Sequence, residues 1–131
     1  MTAVHSQDFR SPLKRAAGLG SAGDGVGRWW VERVTAVALV PLTLWFVASI
    51  IALAGSDHAA LVAWLREPLA ALLMVLLLAT LFSHLSLGLQ VVIEDYVHSG
   101  AKILALLAVR FVCAALATAG ILAALRITFG E

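Results

Sequence analysis

Charged residues are scarce in this sequence. Of its 131 residues, 13% are Asp, Glu, Lys or Arg and 62% are hydrophobic, whereas a soluble domain is roughly 45–50% apolar. A soluble fold of this length has too little interior to hide so much apolar surface. The shortage of charge therefore excludes an ordinary soluble domain and indicates a lipid bilayer as the solvent for most of the chain.

The sequence also lacks the features expected of a nucleic-acid-binding protein, an internal disulfide and a signal peptide. The net charge is only +1 and no basic stripe with interleaved aromatic residues is present, so no nucleic-acid partner is predicted. The single cysteine, Cys113, cannot form an internal disulfide and lies in an apolar run, which is typical of a packing residue. No signal peptide is apparent, because the polar segment before the first apolar run is too long for an n-region.

A glycine-rich segment precedes the first apolar run. Within residues 18–27, Gly18, Gly20 and Gly23 formally match G-x-G-x-x-G. A dinucleotide site needs a strand before this motif and a βαβ unit around it, and the sequence predicts neither. We therefore interpret the segment as a flexible surface loop.

Three apolar runs are long enough to cross a bilayer. They cover residues 34–54, 69–93 and 103–127, and a helical span needs about 20 residues. The predicted fold is all-α, an integral membrane protein with three transmembrane helices. Residues 1–28 are expected to form a polar cytoplasmic tail, and residues 29–131 the three-helix membrane anchor.

The basic residues predict the orientation of the chain. Each loop between spans carries one basic residue, Arg66 or Lys102, whereas the amino-terminal flank carries five. Because basic residues concentrate on the cytoplasmic side, we expect a cytoplasmic amino terminus and a periplasmic carboxyl terminus. The five basic residues of the flank are Arg10, Lys14, Arg15, Arg28 and Arg33.

The second apolar run contains the segment HLSLGLQVVIEDY, His84 to Tyr96. On an α-helix, eleven residues turn the chain by about three turns and advance it about 16 Å. His84 and Asp95 are therefore predicted to share one face, with His84 near the membrane midplane and Asp95 at the cytoplasmic edge. Gly88 lies one turn from His84, where a bulky group can approach the helix.

A histidine at the midplane needs a partner, and three are plausible. It can form a hydrogen bond to another helix, take part in a proton relay, or serve as an axial ligand of haem iron. A haem with two histidine ligands would need another chain, because His5, His58 and His98 all lie in predicted tails or loops.

The other polar residues near the membrane also have alternative interpretations. Asp95 and Tyr96 can be a solvated carboxylate and an interfacial anchor, or they can hydrogen-bond and protonate a quinone head group. Arg33 can be a topology determinant that reaches the lipid head groups, or a cation for haem propionates. Arg110, about 10 Å into the third span, can reach the head groups, pair with Glu94 or Asp95, or face a propionate.

The third span is rich in small residues at helical spacing. Such residues let helices approach closely, and three helices alone cannot enclose a haem well. We therefore expect the chain to be part of a heteromeric helix bundle with an obligate partner. The small residues are Ala115, Ala119 and Ala123 in one series and Gly120 and Ala124 in another.

Two motifs resemble a known family. HLSLGLQVVIEDYV, His84 to Val97, fits an H-x3-G … DY signature, and GRWWVERVTAVALVPL, Gly27 to Leu42, contains an Arg-x-Thr-Ala core. Over roughly residues 27–130 the chain resembles the small hydrophobic membrane-anchor subunits of succinate dehydrogenase (succinate:quinone oxidoreductase, complex II). It departs from the usual family pattern at Glu32, where glutamine is common.

The resemblance implies a role for each matching residue. His84 would be one axial ligand of haem b, Gly88 would make room for the porphyrin, and Arg33 would lie near the propionates. Tyr96 would hydrogen-bond ubiquinone, with Asp95 beside it. The implied partners are a cytochrome b membrane-anchor subunit supplying the second histidine, an iron–sulfur subunit and a flavoprotein subunit, in a bacterial inner membrane.

Two other functions remain as alternatives. One is an accessory subunit of a multi-pass transporter, although transporters favour broken helices or more ionisable groups near the midplane. The other is a haem-free fumarate reductase anchor, which would have no need of His84.

Overall fold

The computed structural model describes residues 20–130, and this part of the chain contains helices and no strand. The four helices are α1 (Gly20–Leu53), α2 (His58–Arg66), α3 (Pro68–Tyr96) and α4 (Ala101–Thr128). Three of them are long and apolar enough to cross a membrane, over Val26–Leu53, Pro68–Tyr96 and Ala101–Thr128. This confirms the predicted all-α fold with three spans.

The first helix begins much earlier than the sequence predicts. Residues 20–27, expected to be part of a loop, are helical, and α1 then continues through Pro41. Extending an existing helix fixes one residue per new hydrogen bond, and each glycine costs only about 1 kcal/mol relative to alanine. The remaining loop residues, 18 and 19, and the basic residues Arg10, Lys14 and Arg15 lie outside the described residues.

The chain divides into two compact units, Met1–Trp30 and Val31–Glu131. In the first unit, the structure describes the beginning of α1. The rings of Trp29 and Trp30 meet there edge to face, with their centroids 5.1 Å apart. The second unit contains the rest of α1 and the other three helices. The division into a tail and an anchor at residue 28 stays a prediction.

Helix α2 was interpreted as a loop from the sequence, and that interpretation was wrong. Its start is fixed by Asp57, whose carboxylate accepts a hydrogen bond from the N–H of Ala60 at 2.9 Å. Its end is fixed by Pro68, which occupies the first turn of α3 and disfavours a helical conformation at the residue before it. Glu67 is accordingly extended, with φ −66° and ψ 131°.

Helix α2 packs on the carboxyl-terminal end of α4. Arg66 Nε donates to the carbonyl of Ile127 at 3.2 Å, and Thr128 Oγ1 lies 2.8 Å from the carbonyl oxygen of Ala124 in its own helix and 3.1 Å from that of Leu65 in α2. Helix ends leave carbonyls without intrahelical partners, and a cation there also favours the helix dipole. The bond from Arg66 satisfies one such carbonyl, that of Ile127. The Leu65 side chain is buried.

Helices α3 and α4 form the most extensive helix contact in the described part of the chain. They are joined by only four residues, 97–100, which makes them antiparallel neighbours. Cys113 and Ala124 are buried on α4, so the interpretation of Cys113 as a packing residue is confirmed. Gly120 lies on the same face, and a Cβ added there would stand 3.3 Å from Leu78 Cδ1.

The two series of small residues in α4 have different environments. Ala124 is buried and Gly120 contacts α3, whereas Ala115, Ala119 and Ala123 are exposed. Most other exposed side chains of the spans are large and apolar. Such a surface is compatible with lipid or with another membrane helix, because lipid tails are as apolar as leucine.

The close contact at Gly120 predicts a size-dependent loss of stability. Gly120→Leu forces side-chain atoms into Leu78 and should cost about 1–3 kcal/mol, as overpacking of a filled contact usually does. Gly120→Ala should cost less, since Leu78 needs to move only slightly. The measurement is thermal unfolding of the purified membrane complex, followed by helical circular dichroism.

The matched control for this contact is the double variant Gly120→Leu, Leu78→Ala. Removing the Leu78 side chain makes room for the new leucine, so the double variant should recover part of the lost stability. If Gly120→Leu unfolds at the wild-type temperature, the proposed close packing is wrong.

Candidate functional site

Helix α3 brings three of the predicted site residues, His84, Gly88 and Asp95, onto one face, whereas Tyr96 lies about 120° around the helix from His84. It is helical without interruption from Pro68 to Tyr96, so the spacing of His84, Gly88 and Asp95 is that of an α-helix. His84 and Asp95 lie three turns apart on the same side, separated by about 16 Å along the axis. The predicted alignment of these residues is therefore confirmed.

The His84 side chain is half-buried and makes a hydrogen bond to α1. Its Nδ1 lies 3.0 Å from the hydroxyl oxygen of Thr35. Within the described residues, this is the hydrogen bond that the imidazole makes, and its other nitrogen, Nε2, has no protein partner there. The structure thus contains the bond to another helix that was one of the three expected environments.

Gly88 borders open space one helical turn from His84. A Cβ added at Gly88 would meet no atom within 4 Å outside its own helix. The small residue is therefore not required by packing between the described helices. The space beside Gly88, one turn from His84, is open in the described part of the chain.

Arg33 lies deeper in its helix than the sequence predicts. The first span was expected to start at residue 34, but the apolar helix begins at Val26. Arg33 precedes Thr35 by two residues, an axial rise of about 3 Å, and its side chain is exposed. Because Thr35 touches His84, Arg33 lies within about one helical turn of the level of the imidazole.

Asp95 and Tyr96 are the last two residues of α3. Tyr96 is 80% exposed, and Asp95 is exposed as well. The phenol hydroxyl makes no hydrogen bond within residues 20–130, so it is available to a ligand or to water. A phenol and a carboxylate at the end of an apolar helix can donate hydrogen bonds and exchange protons with water.

Arg110 makes its contact with a residue that the sequence analysis did not consider. Its Nε and Nη2 donate to Gln90 Oε1 at 3.3 and 3.2 Å. Gln90 is buried and donates from its Nε2 to Ser86 Oγ at 3.0 Å. A lone amide in an apolar span was the available signal, because buried polar groups in membranes require partners.

The hydrogen-bonded side chains of Ser86, Gln90 and Arg110 lie on a different side of α3 from His84. Gln90 follows His84 by six residues, which places it about 120° around the helix. Ser86, Gln90 and Arg110 line a groove of about 400 Å³ together with Cys113. These hydrogen-bonded side chains are therefore a second polar feature of the membrane region and do not belong to the face that carries His84.

The described residues hold no cluster of three or more His, Cys, Asp or Glu side chains that could bind a metal ion. His84 is therefore not part of such a cluster within residues 20–130.

Comparison with known proteins gives a consistent family. The family model "Succinate dehydrogenase/Fumarate reductase transmembrane subunit" matches residues 7–117. The chain is 36% identical over 90 residues to a succinate dehydrogenase hydrophobic membrane anchor subunit of Rickettsia bellii, covering 69% of this chain and 72% of that protein. It is 33% identical over 94 residues to the subunit of the same name from Paracoccus denitrificans, covering 72% and 73%.

Several of the other significant relatives, from further Rickettsia species, are less similar; that of Rickettsia conorii is 29% identical over 91 residues. No solved structure gives a significant match to the chain.

The bond between Arg110 and Gln90 predicts a coupled loss of stability. Gln90→Leu removes the acceptor of a charged donor within the membrane and should destabilise the protein by about 1–3 kcal/mol. Arg110→Leu should destabilise the protein less, because the uncharged amide of Gln90 keeps its hydrogen bond to Ser86. The measurement is a double-mutant cycle of unfolding free energies in detergent or bicelles.

In that cycle, the double variant Gln90→Leu, Arg110→Leu should be more stable than Gln90→Leu alone, since it leaves no unpaired guanidinium. Strictly additive effects would show that the two side chains do not interact in the assembled protein.

Proposed function

Because the chain belongs to the succinate dehydrogenase/fumarate reductase transmembrane subunit family, we propose that it is the hydrophobic anchor of a succinate dehydrogenase complex. In this role its three spans hold the water-soluble subunits at the membrane. The chain contributes membrane helices, one haem ligand and part of a ubiquinone site, and it carries no succinate chemistry itself.

The observation that carries the haem proposal is the environment of His84. One ring nitrogen is held by Thr35 at 3.0 Å, the other has no partner in the described part of the chain, and the neighbouring Gly88 borders open space. Axial histidines of haem usually have one nitrogen hydrogen-bonded and the other free for the metal. The residues present therefore fit one side of a b-type haem.

When bound, the haem supplies a centre that accepts and releases single electrons. His84 would hold it from this chain, and a histidine of a cytochrome b membrane-anchor subunit would be its other protein ligand. Arg33, within about one turn of the level of His84, provides a cation for the propionates.

The quinone proposal rests on the end of α3. Reduction of ubiquinone to ubiquinol takes two electrons and two protons. The exposed hydroxyl of Tyr96 can donate a hydrogen bond to a quinone carbonyl, and Asp95 can accept protons from water and pass them on. Both residues lie where the helix leaves the apolar region, so protons can reach them from the aqueous side.

The proposed assembly follows from these roles. Electrons from succinate pass through a flavoprotein subunit and an iron–sulfur subunit that dock on the cytoplasmic side of a bacterial inner membrane. The excess of basic residues in the amino-terminal flank, of which Arg28 and Arg33 lie within α1, favours an amino terminus on that side, and three spans would then put the carboxyl terminus in the periplasm. Asp95 and Tyr96 would then face the docked iron–sulfur subunit.

The ligand role of His84 predicts a spectroscopic change on substitution. His84→Ala should abolish or strongly shift the low-spin b-type band in the reduced-minus-oxidised spectrum of the purified complex. Succinate oxidation with an artificial acceptor should continue, because the soluble subunits do not depend on the imidazole. His58→Ala, which removes a histidine from α2, is the matched control and should leave the band in place. An unchanged band in His84→Ala would disprove the ligand role.

The quinone role of Tyr96 predicts a selective kinetic defect. Tyr96→Phe keeps the ring but removes the hydroxyl, so ubiquinone reduction should fall by about 10²–10⁴-fold if the hydroxyl acts as a proton donor. Haem content and artificial-acceptor activity report assembly and should stay at wild-type levels. Normal turnover with ubiquinone would contradict the role.

A further inference from the structure

The hydroxyl of Thr35 makes three close contacts. It lies 2.7 Å from the carbonyl oxygen of Val31, 3.0 Å from the carbonyl oxygen of Glu32 and 3.0 Å from His84 Nδ1. The first two are contacts with the preceding turn of its own helix, α1. The third joins α1 to α3.

A hydroxyl has one proton to donate, and this decides the direction of the bond to histidine. Both carbonyl oxygens can only accept, so the proton of Thr35 must point towards them. The oxygen of Thr35 then presents a lone pair to Nδ1. A short contact between two lone pairs would be repulsive, so Nδ1 must carry the proton and donate it to Thr35.

We propose that Thr35 is a positioning residue that fixes His84 in its Nδ1–H tautomer and thereby reserves Nε2 for the iron. The inference rests on the haem role proposed for His84. In a neutral imidazole only one nitrogen carries a proton, so protonation of Nδ1 leaves a lone pair on Nε2. The hydrogen bond also fixes the rotation of the ring about its Cβ–Cγ bond.

Thr35 suits this role because its proton is already engaged. A hydroxyl free to rotate could donate to Nδ1 instead, and the imidazole would then carry its proton on Nε2 and could not bind a metal through it. Bonding to the carbonyls of Val31 and Glu32 removes that option. The helical backbone of α1 thus determines which nitrogen of a histidine on another helix is free.

The test replaces the hydroxyl and follows the haem rather than the turnover. Thr35→Val keeps the shape of the side chain but cannot accept the hydrogen bond. Partner groups behind a metal-binding histidine typically contribute about 10–100-fold to affinity, so this variant should lose haem about 10–100-fold faster to an apoprotein trap. The ferric haem should show altered electron paramagnetic resonance g values, and the reduction potential should rise because the imidazole donates less charge.

Two further variants separate positioning from folding. Thr35→Ser retains the hydroxyl and should restore the wild-type spectrum and retention. Ser49→Ala removes a hydroxyl that donates to the carbonyl of Trp45 at 2.8 Å in the same helix. This control should change neither the haem spectrum nor the haem retention. If Thr35→Val does not assemble, Thr35→Ala, which adds no bulk, replaces it in the same measurements.

The outcomes distinguish this inference from the proposed function. If His84→Ala removes the haem band while Thr35→Val and Thr35→Ala keep wild-type g values, potential and retention, His84 is a ligand but Thr35 does not position it. If His84→Ala leaves the band unchanged, the ligand role and the inference both fail. Loss of the complex in both Thr35 variants would assign Thr35 a packing role and overturn the inference.

Discussion

The absence of hydrogen-bonding solvent inside a bilayer is the constraint on which the rest of this structure depends. A polar side chain in a transmembrane helix must find its partner within the protein. Thr35 and His84 satisfy each other between α1 and α3, and Arg110 and Gln90 do so between α3 and α4. Each of these four polar residues is therefore also a link between helices, and the same bonds that remove a solvation cost select which faces of the helices meet.

The two helix contacts are made in different ways. Helices α3 and α4 approach closely because Gly120 and the buried Ala124 leave room for side chains of α3, among them Leu78. The contacts of α1 with the other helices include the bond between His84 and Thr35 and the stacked rings of Trp45 and Trp64, whose centroids are 5.6 Å apart. Close packing depends on complementary shape along two helices, whereas point contacts leave space between them. The haem proposed beside α3 would need point contacts of this kind, because close packing would leave no space for it.

The sequence was sufficient to predict the features that depend on periodicity and length. The three spans follow from apolar runs, and the common face of His84 and Asp95 follows from eleven residues of helix. It was insufficient where a partner had to be identified. Nothing in the spacing pairs Thr35 with His84 or Gln90 with Arg110, because these pairs are fixed by how the helices pack. Helix α2 was overlooked although Asp57 and Pro68 mark its ends, since nine residues between two long apolar runs resemble a loop.

In the proposed function, the contact between Thr35 and His84 lies at a different depth in the membrane from the end of α3. It brings Arg33 to within about one turn of the imidazole, while Asp95 and Tyr96 lie about 16 Å further along α3. Transfer of an electron needs no proton, so a centre held by His84 can lie deep in the membrane, where a cation such as Arg33 can balance anionic substituents. Reduction of a quinone does need protons, and these are available only where the chain meets water. The proposed division of roles along α3, an electron centre at depth and a proton-dependent site at the helix end, therefore follows from where each reactant can be supplied.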